Sequence, residues 1–194
     1  NNGVEKDDAG VYSFALDHFF LRVNTEGELV YYRFIPQMHV TVDSRGNVSE
    51  NMAENFAAQD AVDGSRYYTA FIELKPDYRN ANGGYSSGSY LVMDKDYVDI
   101  DQAVLEPTTE HGEGYLDQHE FVVLGKDHYI DLSYTPILAE NLPDSVKGID
   151  GGHTGFVWAG IIQEVKDGKV VKEINTADYP LLYESAVECI NYAG

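Results

Sequence analysis

Apolar and polar positions alternate with a period near two along most of the chain, and the alternating runs come in pairs separated by short polar reversals. Residues 19–24 and 29–34 flank Thr25-Glu26-Gly27, and 39–42 and 48–52 flank Asp43-Ser44-Arg45-Gly46-Asn47. Residues 89–93 and 97–104 flank Asp94-Lys95-Asp96, the apolar run 122–124 (opened by His119-Glu120-Phe121) and the run 128–134 flank Gly125-Lys126-Asp127, and 160–165 and 169–174 flank Lys166-Asp167-Gly168. Each reversal carries the Gly, Asp or Asn that a tight turn needs, so the pattern predicts five β-hairpins. Residues 67–74 read as one more strand with no evident hairpin partner. Helical periodicity is weak; a short helix or turn is expected only within 48–61 and 177–183. Two insertions, 80–87 and 138–154, are rich in Gly, Asn, Asp and Ser and read as surface loops.

Hairpins spread over the whole length predict an all-β fold, with residues 1–194 as a single domain. A propeller blade takes two hairpins and about 40–50 residues. On that scale the chain is expected to form a partial β-propeller of about three to four blades, built from consecutive antiparallel hairpins. A β-sandwich fits the same pattern. The start, Asn1-Asn2-Gly3, reads as processed, and the apolar stretch 186–192 reads as the beginning of a further strand. A piece of a propeller leaves sheet edges and the side of a blade open to pairing. The expected cover is further sequence, a second chain, or a second copy in a homodimer.

Composition narrows the partners. Thirty-three acidic residues against thirteen basic ones give a formal net charge of −20. Such a surface repels the phosphates of nucleic acid and of anionic membranes, and it suits a secreted or cell-envelope protein. No apolar run approaches the ~20 residues that would span a bilayer as a helix, so no membrane insertion is expected. Cys189 is the only cysteine, which excludes an internal disulfide, and no paired cysteine pattern for zinc occurs. Asn47-Val48-Ser49 fits a glycosylation sequon, a triplet common by chance. Asp94, Asp96, Asp99 and Asp101 lack the twelve-residue calcium loop and read as an exposed strand face.

The candidate chemistry lies in residues 111–136. After a glycine-rich approach (His111, Gly112, Gly114), an imidazole and a carboxylate, His119 and Glu120, stand with Phe121 at the mouth of the hairpin's first strand. Side chains alternate along a strand, so His119 shares a face with Phe121 and Val123, and Glu120 points the other way into a blade-to-blade contact. His119 is the candidate catalytic residue; the plainer reading is a hydrogen-bonded histidine packed between sheets. His111 is the candidate substrate-binding residue, against a solvated loop histidine. His128 reads as surface, His153 as a loop residue, and His18 and His39 as packing residues. No nucleophile elbow, phosphate-binding loop or His-Glu-x-x-His motif is present.

Three segments together resemble the aryl-sulfate sulfotransferase family, whose members need no nucleotide donor. Residues 112–134, GEGYLDQHEFVVLGKDHYIDLSY, are similar to its strand in which a His-acid pair precedes an apolar run and a Gly-containing turn. Residues 159–180, AGIIQEVKDGKVVKEINTADYP, are similar to its hairpin with a Gln-Glu start, a Gly-Lys turn and an Asp-Tyr close. Residues 89–101 and 19–34 resemble its earlier hairpins. The resemblance covers about half of the chain. It implies a six-bladed propeller with the site in the central channel. It also implies transfer of a sulfuryl group from a phenolic sulfate to a phenol through a sulfated histidine, without a cofactor. Of the family's catalytic set only an earlier histidine has a counterpart, His119. The His-x-Asn segment has none between Tyr179 and Gly194, and the nucleophile is expected outside these 194 residues. The expected small-molecule partners are therefore a phenolic sulfate and a phenol acceptor.

Overall fold

The computed structural model of the chain describes residues 5–6, 10–16, 18–35, 40–42, 48–50, 53–75, 87–140, 142, 151–179 and 181–182. Over these described residues the architecture is all-β: three four-stranded antiparallel sheets, each a simple meander, and one two-stranded ribbon. The first sheet holds β1 (Glu5–Lys6), β2 (Tyr12–Leu16), β3 (Phe19–Val23) and β4 (Leu29–Phe34) in that order. The ribbon pairs β5 (Val40–Val42) with β6 (Val48–Glu50). The second sheet follows with β7 (Ala53–Asp60), β8 (Arg66–Lys75), β9 (Ser87–Met93) and β10 (Asp99–Ala103). The third holds β11 (Phe121–Gly125), β12 (His128–Ala139), β13 (Gly155–Lys166) and β14 (Lys169–Asn175), and ends in a 3-10 turn, Thr176–Asp178, capped by the Asn175 side chain.

The hairpins read from the alternation are present where the residues are described. His39, residues 51–52 and most of the 80–87 insertion lie outside that set, as do Asn47 of the sequon, residues 186–192 and Cys189. Two expectations are corrected. The described residues of 48–61 hold no helix; they form β6 and β7. AENFAAQD is poor strand material on propensity, but pairing with β8 and contact with β2 override that weak local preference. The strand at 67–74 is not alone either, since β8 pairs with β7 on one side and β9 on the other.

Burial explains how the sheets stack. On β8 and β9 successive side chains go to opposite faces, and both faces are buried. Tyr67, Phe71, Tyr90 and Val92 join a core with Phe121, Val123, Tyr129 and Ile161 of the third sheet. Tyr68, Ala70, Ile72, Leu91 and Met93 join a second core with Phe20 of the first sheet and Phe56. The second sheet is thus the middle of three layers, which is why its two central strands read as continuous apolar runs. Stacked rings tie each joint, Phe20 on Phe56 (centroids 4.9 Å apart) and Tyr90 on Phe121 (4.4 Å). Full burial of one such ring is worth about 1.5–3 kcal/mol.

The sheets also share an orientation. At one edge, the Gln59 side chain of β7 bonds the backbone of Phe121 and Val123 of β11 (2.9 Å each), and β2 packs on β7. At the opposite edge, Arg33 of β4 pairs with Asp99 of β10. There too, Gln163 and Asn175 of the third sheet bond Glu106 and Glu110, just beyond β10. The early strands of the sheets therefore line one side of the stack and the last strands the other. Residues 104–120 run back between these two sides, bridged to Gly88 by Leu116 and to Leu105 by Gly114. Gly88 has no room for a side chain: a Cβ there would fall on the Ile72 carbonyl and the Phe71 ring. Among the described residues the stack does not close on itself. Among the described residues no helix is long and apolar enough to cross a membrane.

Candidate functional site

The early-strand edge carries the more chemically suggestive cluster. His119 is not on β11 but in the bend before it, so strand alternation does not govern it. Its side chain is 57% exposed, whereas Phe121 and Val123 are buried. Glu120 is exposed as well, so the blade-to-blade contact expected of it does not form. The residue that orients His119 is Asp117, which sequence reading passed over. Asp117 is anchored by its own N–H to the Leu132 carbonyl (2.8 Å), and its side chain is 1% exposed. One carboxylate oxygen, Oδ1, accepts both the His119 backbone N–H (2.9 Å) and Nδ1–H (2.6 Å). This local Asx turn holds the ring with Nδ1 engaged. Nε2 makes no hydrogen bond among the described residues, so the exposed ring has one ring nitrogen free.

The bend is fixed from below. The Gln118 carbonyl accepts the Tyr90 hydroxyl (2.6 Å) and the Asn55 side-chain amide. Asn55 adopts φ 51°, the left-handed region that Asn tolerates better than most residues, at an irregularity between Glu54 and Ala57 on β7. Next to it, Glu54 is pushed above the ordinary carboxyl range by burial, an effect partly offset by His119. Burial likewise pushes the Tyr90 phenol well up, so it stays a neutral donor. The cluster therefore joins β7 to the approach to β11 across more than sixty residues of sequence. An Asp two residues before a His is the one signal for it that the sequence contains.

His111 lies elsewhere. Its side chain is 6% exposed, with Nε2 3.0 Å from Glu173 Oε2 on β14 and Nδ1 3.0 Å from the Gly112 carbonyl. It is neither a solvated loop histidine nor a neighbour of His119: β11 and β14 are opposite edges of one sheet, about 14 Å apart at strand spacing. Glu173 also accepts from Gln163 (2.6 Å), and Gln163, fully buried, both donates to the Glu106 carbonyl (2.9 Å) and accepts from its N–H (3.1 Å). These bonds fasten the 104–120 segment to the last-strand edge. Beside them Asp131 is 2% exposed, and neither of its oxygens makes a hydrogen bond among the described residues. Burial pushes its carboxyl up to about 7, Glu106 and Glu173 add to the rise, and the Gln163 backbone opposes it.

Of the other described histidines, His128 contacts Glu164 across the β12–β13 pair (2.8 Å), His153 contacts the Leu142 carbonyl (2.7 Å), and the His18 ring packs edge-on against Phe34. Among the described residues no three His, Cys, Asp or Glu side chains are grouped to hold a metal ion. Asp94 accepts the N–H groups of Asp96 and Val98 as the cap of its own turn, and Asp99 serves the Arg33 pair.

Fold and site together define a class: stacked four-stranded meanders with an oriented, exposed histidine at the early-strand edge. The chain matches no protein-family model, no curated protein and no solved structure.

Proposed function

We propose that the three sheets are consecutive blades of a six-position β-propeller of the aryl-sulfate sulfotransferase type. His119 then serves sulfuryl transfer from a phenolic sulfate to a phenol. Meander topology and the common orientation of the sheets support the blade reading, because in a propeller the early strands converge on the axis. The observation that carries the chemistry is the Asp117–His119 pair at that edge. A buried carboxylate on Nδ1 sets the tautomer and leaves Nε2 for the substrate. Protonated, that nitrogen donates to a sulfuryl oxygen or to the departing phenolate; neutral, it accepts the proton of the incoming phenol. Exchange between two phenols of similar basicity needs neither a metal nor a high-energy donor, and catalysis rests on positioning and on donors around the moving group. The attacking nucleophile is assigned to sequence other than these 194 residues, and the acidic surface fits a secreted or envelope location. His111 is read as a fastening for the 104–120 segment rather than as a substrate contact.

The test is release of 4-nitrophenol from 4-nitrophenyl sulfate on addition of phenol, measured on the full product of the gene. His119→Ala lowers exchange by about 10²–10⁴-fold if the imidazole transfers a proton. Asp117→Asn keeps the turn and disturbs the tautomer, so it lowers kcat and alters the pH profile while KM changes little. No exchange in the intact protein, or full activity in His119→Ala, overturns the reading.

A further inference from the structure

Residues 106–113 form a loop closed at its base, where Leu105 and Gly114 exchange backbone hydrogen bonds (3.2 and 3.1 Å). Among the described residues, side-chain bonds fasten this loop to the third sheet. Gln163 bonds the Glu106 backbone twice, His111 meets Glu173, and Asn175 donates to the Glu110 carboxylate (2.8 Å). The strands beside it are tied by continuous backbone ladders. The loop is therefore the part that can lift without breaking a strand.

Beneath these fastenings lies an acid with nothing to hold it. Phe121, Asp131, Gln163 and Glu173 stand directly opposite one another from β11 to β14, so they share one face. Phe121 stacks on Tyr90, which turns that face toward the second sheet. Asp131 is shut into this row, and among the described residues neither carboxylate oxygen has a partner. The charged groups that bear on it are themselves acids, Glu106 from the loop and Glu173 from β14, the latter bonded to His111. Glu113 and Asp101 add to the rise of the Glu106 carboxyl, which burial begins. On that face β11 and β13 present Phe121, Val123, Ile161, Gln163 and Val165, none of them charged. A carboxyl with neither donor nor cation beside it stays uncharged while the loop is down.

We propose that Asp131 is a proton-operated latch for the 106–113 loop. Protonated, it leaves the Gln163 amide to Glu106 and Glu173. Ionised, it repels both neighbouring carboxylates and takes the nearest donor, the Gln163 amide, which releases the Glu106 carbonyl. The loop then lifts about its Leu105–Gly114 base and admits water to the buried charge. Opening uncovers a polar slot between the second and third sheets at the last-strand edge. The latch lies wholly within these two sheets and the loop, and it stands apart from sulfuryl transfer at His119.

The closed-loop carboxyl stands at about 7 and a solvated one at its ordinary 3.8, so the closed form binds the proton more tightly. Closure is therefore favoured most below about pH 4, and opening grows until about pH 7 and levels off above it. Between about pH 5.5 and about pH 7.5 the opening constant should rise about 20-fold. Hydrogen exchange at the Glu106 N–H and its loop neighbours reads that constant. It is measured on the full product of the gene and corrected for the intrinsic exchange rate at each pH. Urea below the unfolding transition should leave the loop's exchange unchanged while it speeds that of β8 and β9. Asp131→Asn removes the rise with pH, and His111→Gln keeps it. Where circular dichroism finds the asparagine variant unfolded, Asp131→Ser takes its place. Equal loop protection at both pH values overturns the latch, and so does a rise that survives Asp131→Asn or vanishes in His111→Gln. Loop exchange that follows urea as β8 and β9 do overturns it as well, because the acid then loosens the whole stack.

Discussion

Two histidines eight residues apart, His111 and His119, end at opposite edges of the same stack, and their surroundings are opposite too. His111 is shut between the Gly112 carbonyl and Glu173, with Gln163 and Asp131 behind it. His119 stands half in solvent with one nitrogen held by a buried carboxylate. Both edges use acidic partners, so acid–imidazole proximity does not distinguish fastening from chemistry. Exposure of the ring does: a histidine with both nitrogens engaged is consumed by the fold, and one with a free nitrogen is available to a substrate.

That contrast can be broken first at Gln163, where the largest effect is expected. Gln163→Leu strips both the donor and the acceptor from the Glu106 backbone in a fully buried position. The loss is about 2–6 kcal/mol in urea-induced unfolding, given roughly 1–3 kcal/mol for each of the two groups left unsatisfied. It should leave the His119 ring signals in NMR spectra unmoved, and a change in those signals would mean that the two edges act as one body.

Next comes Asp131. Its folded-state carboxyl is raised to about 7 from an ordinary value of 3.8, so between those values the folded chain holds a proton that the unfolded chain has released. Stability therefore falls as pH rises from about 4 to about 7 and levels off above that. Asp131→Asn removes the slope. Near pH 4 the variant matches the parent, and at pH 8 it is more stable by about 2–4 kcal/mol, since each tenfold change in proton affinity is worth about 1.4 kcal/mol. Thermal melts across pH check it, and parallel pH curves for the two proteins would dismiss the buried-acid account.

His111→Ala should cost about 1–2 kcal/mol, the usual range for removing a nearly buried hydrogen-bonded group, with Glu173 left to Gln163 alone. His119→Ala gives the smallest change in stability, within about 0.5 kcal/mol, because its ring is mostly solvated. Equal losses in the two variants by chemical denaturation would erase the distinction between the edges.

Much of this fold is legible because a strand's side-chain period is two. The alternation places Leu29–Phe34 to the residue, and β8, β9 and β14 within one or two at each end. The failures share a cause. β7 is made of residues with little strand preference, and it is a strand because β8 and β2 are beside it. Alternation puts His119 on the strand face, yet the chain bends just before Phe121, and that bend depends on Asn55 and Tyr90 reaching the Gln118 carbonyl. Asp117 is recoverable from its i, i+2 relation to His119, a local turn signal. Glu54 is not.

The all-β class, the hairpin reversals, the net acidity and the lack of a long apolar run all follow from the amino-acid order alone, because each depends on neighbours in the chain or on simple counts. Packing in three dimensions joins the hairpins into three stacked meanders and sends the two candidate histidines to opposite edges. Those outcomes depend on side chains that meet across sheets, as when Gln59 meets β11 and Glu173 meets His111, and no local pattern encodes a meeting between residues sixty positions apart.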